Sequence, residues 1–185
     1  MATASMNKQE AQLVLSYGAK LDAWASVVSR QLGRDFPDFT SGFEANRKDE
    51  IAHARCLARL SEEEVDETPV MMIASSALTT DPIFNLLFLN IFERRTERQF
   101  RALARAFPQF RGDLRAIAAD ENRHVKFGME VVKTLPKDEV LKRLPVIHDQ
   151  LFLADSYWAP QHVDRFNKMN GACVHGLLLD FTKRA

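Results

Sequence analysis

"RQLGRDFPDF" (residues 30–39) and "RALARAFPQF" (101–110) are the same corner written twice, 71 residues apart. Arg, Leu, Arg, Phe, Pro and Phe coincide at matching positions. Each stretch reads as the end of one amphipathic helix, a break, and the start of a second helix at Pro37 or Pro108. Proline is tolerated at that first position because its missing N–H has no partner there in any case. In the same register Asp49-Glu50-x-x-His53 lies over Asp120-Glu121-x-x-His124, and Asp22 lies over Glu93. A single E-x-x-H arises often by chance. One that recurs in phase with its turn and with a partner acid marks an internal repeat. The chain reads as two helix–turn–helix units.

Working outward, the periodicity predicts helices over about 7–33 and 37–61, then about 82–106 and 109–135. The first pair spans 7–61 and the second 82–135, joined by the polar, proline-bearing "SEEEVDETPV" (61–70). Asp81 is placed to cap the third helix, with Pro82 at its first position, and Pro136 ends the fourth. Two further helices are expected over 137–185, separated near Pro160. No strand pattern appears, and 185 residues suit one domain.

Composition excludes several classes. Lys plus Arg equals Asp plus Glu at 25 each, so no basic excess points to nucleic acid. The apolar run "IFNLLFLNIF" (83–92) is too short to span a bilayer. "MATASMNKQEAQ" contains no apolar leader segment, and a cytoplasmic protein is expected. Cys56 and Cys173 form neither a disulfide framework nor a CxxC site, and each is expected as a buried thiol.

The helical stripes carry the chemistry. Leu86, Leu89, Glu93, Thr96, Phe100, Leu103 and Phe107 repeat at alternating threes and fours, so Glu93 falls inside an apolar face. Leu114, Ile117, Glu121, His124, Gly128 and Val131 do the same, as do Phe43, Asn46, Glu50, His53 and Leu57. Leu15, Gly18, Asp22, Ala25, Ser29 and Leu32 form a weaker stripe. Counted from each corner, Asp22, Glu50, His53, Glu93, Glu121 and His124 meet at one level of a helical core. Burying that charge bare costs several kcal/mol per ion. Two divalent cations would neutralise four carboxylates, with the imidazoles binding uncharged, and mixed O/N donors suit iron or manganese. Asp49 and Asp120 each stand four residues before a histidine, placed to accept the outer N–H of that imidazole or of the one on the opposite helix. By the same logic "ERRTERQFRALAR" (93–105) reads as a solvated charge run, and Glu97 as a solvated position. Tyr17, Trp24, Met71 and Met72 read as packing, and His148, His162 and His175 as incidental.

One acid from each of two helices plus E-x-x-H from each of two others resembles the ligand set of ferritin-like carboxylate-bridged di-metal proteins. "DENRHVKFG" (120–128) also resembles the fourth-helix motif of aldehyde-deformylating and related small oxygenases. The resemblance covers about residues 7–135 and implies an all-α, ferritin-like four-helix bundle with a helical C-terminal extension. It further implies two Fe ions (or Mn, or a mixed Fe/Mn pair), with Glu50 and Glu121 bridging. Asp22 and His53 would serve one ion, Glu93 and His124 the other. Helix one offers an aspartate where most of the family has glutamate. Ribonucleotide reductase small subunits share that aspartate, but Leu57 stands where they carry the radical tyrosine.

The expected function is O2-dependent oxidation of a small organic substrate, with electrons from a separate ferredoxin or reductase; a homodimer is allowed. The alternative is ferroxidase or iron-storage activity of the bacterioferritin kind. Against that alternative stand the absence of an acidic excess and the short 28-residue step from each first acid to its E-x-x-H glutamate. Gly18, Ala25 and Ser29, opposite the bulkier Leu89, Thr96 and Phe100, predict a cavity beside the metals walled by Phe39 and Phe43.

Overall fold

The computed structural model describes residues 8–62, 79–158 and 163–183, and among these every regular element is helical. Six α-helices follow in order: α1 (Lys8–Asp35), α2 (Thr40–Leu60), α3 (Pro82–Ala106), α4 (Arg111–Val132), α5 (Lys137–Trp158) and α6 (Val163–Thr182). No described helix is long and apolar enough to cross a membrane.

The corners between α1 and α2 and between α3 and α4 are alike in backbone as well as in sequence. Each is a single 3-10 turn, Pro37–Phe39 or Pro108–Phe110. The residue before each turn has nearly the same conformation: φ −122°, ψ 73° at Phe36 and φ −123°, ψ 87° at Phe107. The prolines therefore open a 3-10 turn, and the following α-helix begins two or three residues later than periodicity alone suggests. At the start of α3, the Asp81 carboxylate accepts from the Ile83 and Phe84 amides (3.0 and 3.1 Å). That satisfies two donors every helix start leaves open.

Helices α1 and α2 pack as a pair, as do α3 and α4; α1 also meets α3, and α2 meets α4. The C-terminal pair α5–α6 lies against α3, and α6 also reaches α4. This second layer explains why α3 is buried almost all round from Phe84 to Glu93. The apolar core is split in two. One cluster holds Leu21, Val28, Phe43, Phe92 and Met129; the other holds Leu15, Leu57, Phe100 and Ile117. On each of α1–α4, the residues between those two sets are the charged ones.

Candidate metal centre

Asp22 on α1, Glu50 and His53 on α2, Glu93 on α3, and Glu121 and His124 on α4 occupy the layer between the two apolar clusters. None is more than 4% exposed. All six residues singled out in the sequence are brought together. The reason is the helical repeat: three residues from Glu to His carries both side chains to one face, one turn apart. The imidazoles lie side by side, ring centres 5.9 Å apart.

Their donor atoms form two sets sharing Glu50. Asp22, Glu50, His53 and Glu121 make one; Glu50, Glu93 and His124 make the other. Within each set the atoms lie within 4.8 Å of one another. Glu121 also approaches the second set, with an oxygen 3.7 Å from His124 Nδ1. Both Asp22 oxygens, Glu50 Oε1, Glu93 Oε1 and the Nδ1 atoms of His53 and His124 are buried without a hydrogen-bond partner. Glu50 Oε1 lies 3.0 Å from His124 Nδ1, yet the pair does not meet hydrogen-bond geometry. Six converging, unpartnered O and N atoms at one level of a core would cost several kcal/mol if left so. A hard or borderline divalent cation fits that donor set. These buried acidic and histidine groups could hold metal.

The outer edges of the imidazoles are tied across the helix pair. His53 Nε2 on α2 donates to Asp120 Oδ2 on α4 (3.1 Å), and His124 Nε2 on α4 donates to Asp49 Oδ2 on α2 (3.2 Å). Each aspartate therefore serves the histidine of the opposite helix. With Nε2 donating outward, each Nδ1 faces inward, where loss of its proton would present the lone pair a metal site needs. Arg123 then bridges both carboxylates, 2.6 Å to Asp120 Oδ1 and 2.8 Å to Asp49 Oδ2.

Without a cation, protons take its place. Burial, then the charges of Glu50 and Glu121, drive the Asp22 carboxyl well above the carboxylate range. Burial does the same at Glu93, with Glu121 and Glu50 adding to it and His124 opposing. Burial and Glu50 push Glu121 up to about 7. At Glu50 burial also opposes ionisation, but the two imidazoles outweigh it and hold the group below its ordinary value. Burial works against charging His124, yet Glu121, Glu50 and Glu93 push it up to about 12. His53 is raised for the same reasons, against the same penalty.

Three expectations need correction. The cavity predicted from Gly18, Ala25 and Ser29 is reduced to a narrow crevice at Gly18. A Cβ at Gly18 would meet Leu57 Cδ1 at 3.1 Å and Phe100 at 3.5 Å, and Ala25 and Ser29 are fully buried. Phe39 and Phe43 instead pack edge-on against Phe127 near the corner. What remains beside the centre is a crevice of about 20 Å3 between α1 and α3, which reaches Asp22 and is lined by Tyr17, Arg95, Thr96 and Phe100. The charge run is not uniformly solvated either. Arg95 is buried, bound to Asp155 of α5 (3.0 and 2.8 Å) with Asn170 of α6 alongside (3.3 Å), and Arg94 pairs with Asp180 (2.9 Å). Cys173 is buried, but Cys56 is only half-buried and accepts from Arg59.

The other incidental positions behave as expected. Glu97 pairs with Arg101 along one helix face, and Tyr17 and Trp24 are buried, Trp24 edge-on to Phe88 and Phe92. His148 is half-buried and His175 exposed; Met71, Met72, Pro160 and His162 lie outside the described residues. Arg95, Asp155 and Arg123 were not singled out in the sequence. For Asp155 a signal exists: it is a lone acid inside the apolar "LFLADSYW" (151–158). Arg123 gave none, since its repeat counterpart is Ala52.

No family model matches the chain, and comparison with characterised proteins and with solved structures returns no match.

Proposed function

We propose that the chain is a ferritin-like four-helix protein, built from two helix-hairpin repeats, whose core holds two iron ions and uses O2 to oxidise a small organic molecule. The single observation carrying this reading is the convergence of six buried side chains on four helices, five of which leave donor atoms without a hydrogen-bond partner. The matched corners and matched E-x-x-H positions support the repeat. Manganese, or a mixed pair, satisfies the same donors.

In this reading Glu50 and Glu121 would be shared by the two ions, with Asp22 and His53 holding one and Glu93 and His124 the other. A pair of bound ferrous ions supplies two electrons to O2. The protein's own part is to exclude bulk water with the two flanking apolar clusters and to hold both imidazoles as neutral Nδ1 donors through Asp49 and Asp120. A separate electron donor would return the centre to its reduced state, since no CxxC iron site accompanies it in the sequence. The crevice between α1 and α3, about 20 Å3, is close to the size of one water molecule and would have to widen for an organic substrate.

That narrow crevice also favours a second reading, in which ferrous ion is itself the substrate and the protein is a ferroxidase. Anaerobic loading of metal-free protein with Fe(II), followed by measured O2 uptake, separates the two. Saturation at two irons per chain supports the substrate-oxidising centre. Uptake that continues far beyond two supports iron oxidation and storage.

A further inference from the structure

We propose that Arg123 is a positioning residue for both imidazoles at once, one surface side chain setting the orientation of a metal ligand on each of two helices. The proposal rests on reading the centre as a metal site. His53, Asp120, Arg123, Asp49 and His124 form one unbroken line of hydrogen bonds, 3.1, 2.6, 2.8 and 3.2 Å in turn. The line starts and ends on the two rings whose inner nitrogens face the carboxylates, and it passes through a single guanidinium. Nothing on α2 duplicates it, because the repeat places Ala52 where α4 has Arg123.

Guanidinium geometry makes one residue sufficient. Its fork offers two N–H groups in fixed directions, so a carboxylate from each helix is held at a set angle. Asp120 gives one oxygen to Arg123 and the other to the His53 N–H, whereas Asp49 Oδ2 accepts from both Arg123 and the His124 N–H. A lysine or glutamine could not hold both in register. Arg123's side chain is 58% exposed, and its two acids are 32% and 31% exposed. Exposed pairs of this kind contribute little to folding. Its removal should therefore spare the fold and act on the rings. Asp120 acts on the position containing Asp22 and His53, and Asp49 on the one containing Glu93 and His124.

The test is a Co(II) titration of the metal-free full-length chain, read by visible absorption and by heat, in two backgrounds. Glu93→Ala retains the Asp22–His53 position; Asp22→Ala retains the Glu93–His124 position. Arg123→Gln is expected to weaken Co(II) binding about tenfold to a hundredfold in both backgrounds. Asp120→Asn should do so only in the first and Asp49→Asn only in the second, while the exposed Lys126→Gln changes neither. The downfield proton NMR signals of the two imidazole Nε2–H groups should also broaden or vanish in Arg123→Gln, at an unchanged melting temperature. Should a single-acid background bind no cobalt, Arg123→Gln in the otherwise unaltered chain must weaken both binding steps. Unchanged affinity in Arg123→Gln, or loss at one position only, overturns the proposal. Failure of the unaltered chain to bind Co(II) at all would instead overturn the metal reading beneath it.

Discussion

Burial raises the Asp22 and Glu93 carboxyls, and, against the cost of burial, the neighbouring carboxylates raise His124 to about 12. Metal ligands bind deprotonated, so loading should release the His124 proton together with those that the raised Asp22, Glu93, Glu121 and His53 still hold. Calorimetry in buffers of different ionisation heat should detect net proton release on loading and find affinity rising with pH. Stability of the metal-free protein should run the other way. Glu121 stands at about 7 against its ordinary 4.5. Between those values the folded state keeps a proton that the unfolded chain loses, so stability falls as pH rises. His124, at about 12 against 6.5, contributes fully below its ordinary value and progressively less above it. Glu50, held low, is ionised in both states across this range and adds no slope. The metal-free protein should thus melt at a higher temperature at about pH 5.5 than at about pH 8.5. Loading with Mn(II) should reverse that order. A metal-free melting temperature that climbs with pH would show that the core carboxyls are not buried as described.

The helices depend on a few side chains at their ends and contacts. Asp81 caps α3 and also accepts from Arg143 Nε of α5 at 2.6 Å, tying the cap to the C-terminal layer. Burial raises the Asp81 carboxyl, but Arg143 and the amides of Phe84 and Ile83 outweigh it and hold the group below its ordinary value. Asp81→Ala should cost about 1–2 kcal/mol of unfolding free energy in urea. That difference should shrink as pH falls through the lowered carboxyl value. Asp155→Ala is predicted to be more damaging, about 3–5 kcal/mol, because it strands Arg95 in the interior. Replacing Arg95 and Asp155 together by apolar residues should recover most of that loss. Helix spans, the Asp81 cap and the paired corners were legible in the sequence, because periodicity, capping chemistry and the F-P-x-F repeat are local signals. The level shared by the six core residues was legible too, since the repeat fixes register. Contacts between elements were not. Whether Asp120 serves His124 on its own helix or His53 across the seam depends on how α2 and α4 sit. Arg94 and Arg95 look solvated until α5 and α6 cover them, and the space beside Gly18 is narrowed by Leu57 and Phe100 from other helices.

At the scale of the molecule, two apolar clusters enclose a charged layer, and a second pair of helices is fastened to the outside of α3 by the buried Arg95, Asp155 and Asn170. A core interrupted in this way is a poor design for stability alone, because four buried carboxyls replace apolar packing. It is a reasonable design for holding cations, whose binding to the folded state alone would return the lost stability by mass action. The most direct test of a two-ion centre is an anomalous difference map from crystals of the protein loaded with Mn(II) or Fe(II). Two peaks are predicted, one among Asp22, Glu50, His53 and Glu121, the other among Glu50, Glu93 and His124, with Asp49 and Asp120 still bound to the opposite imidazoles. A map with no peak at that level of the core, and the same carboxyls hydrogen-bonded to one another, would contradict it.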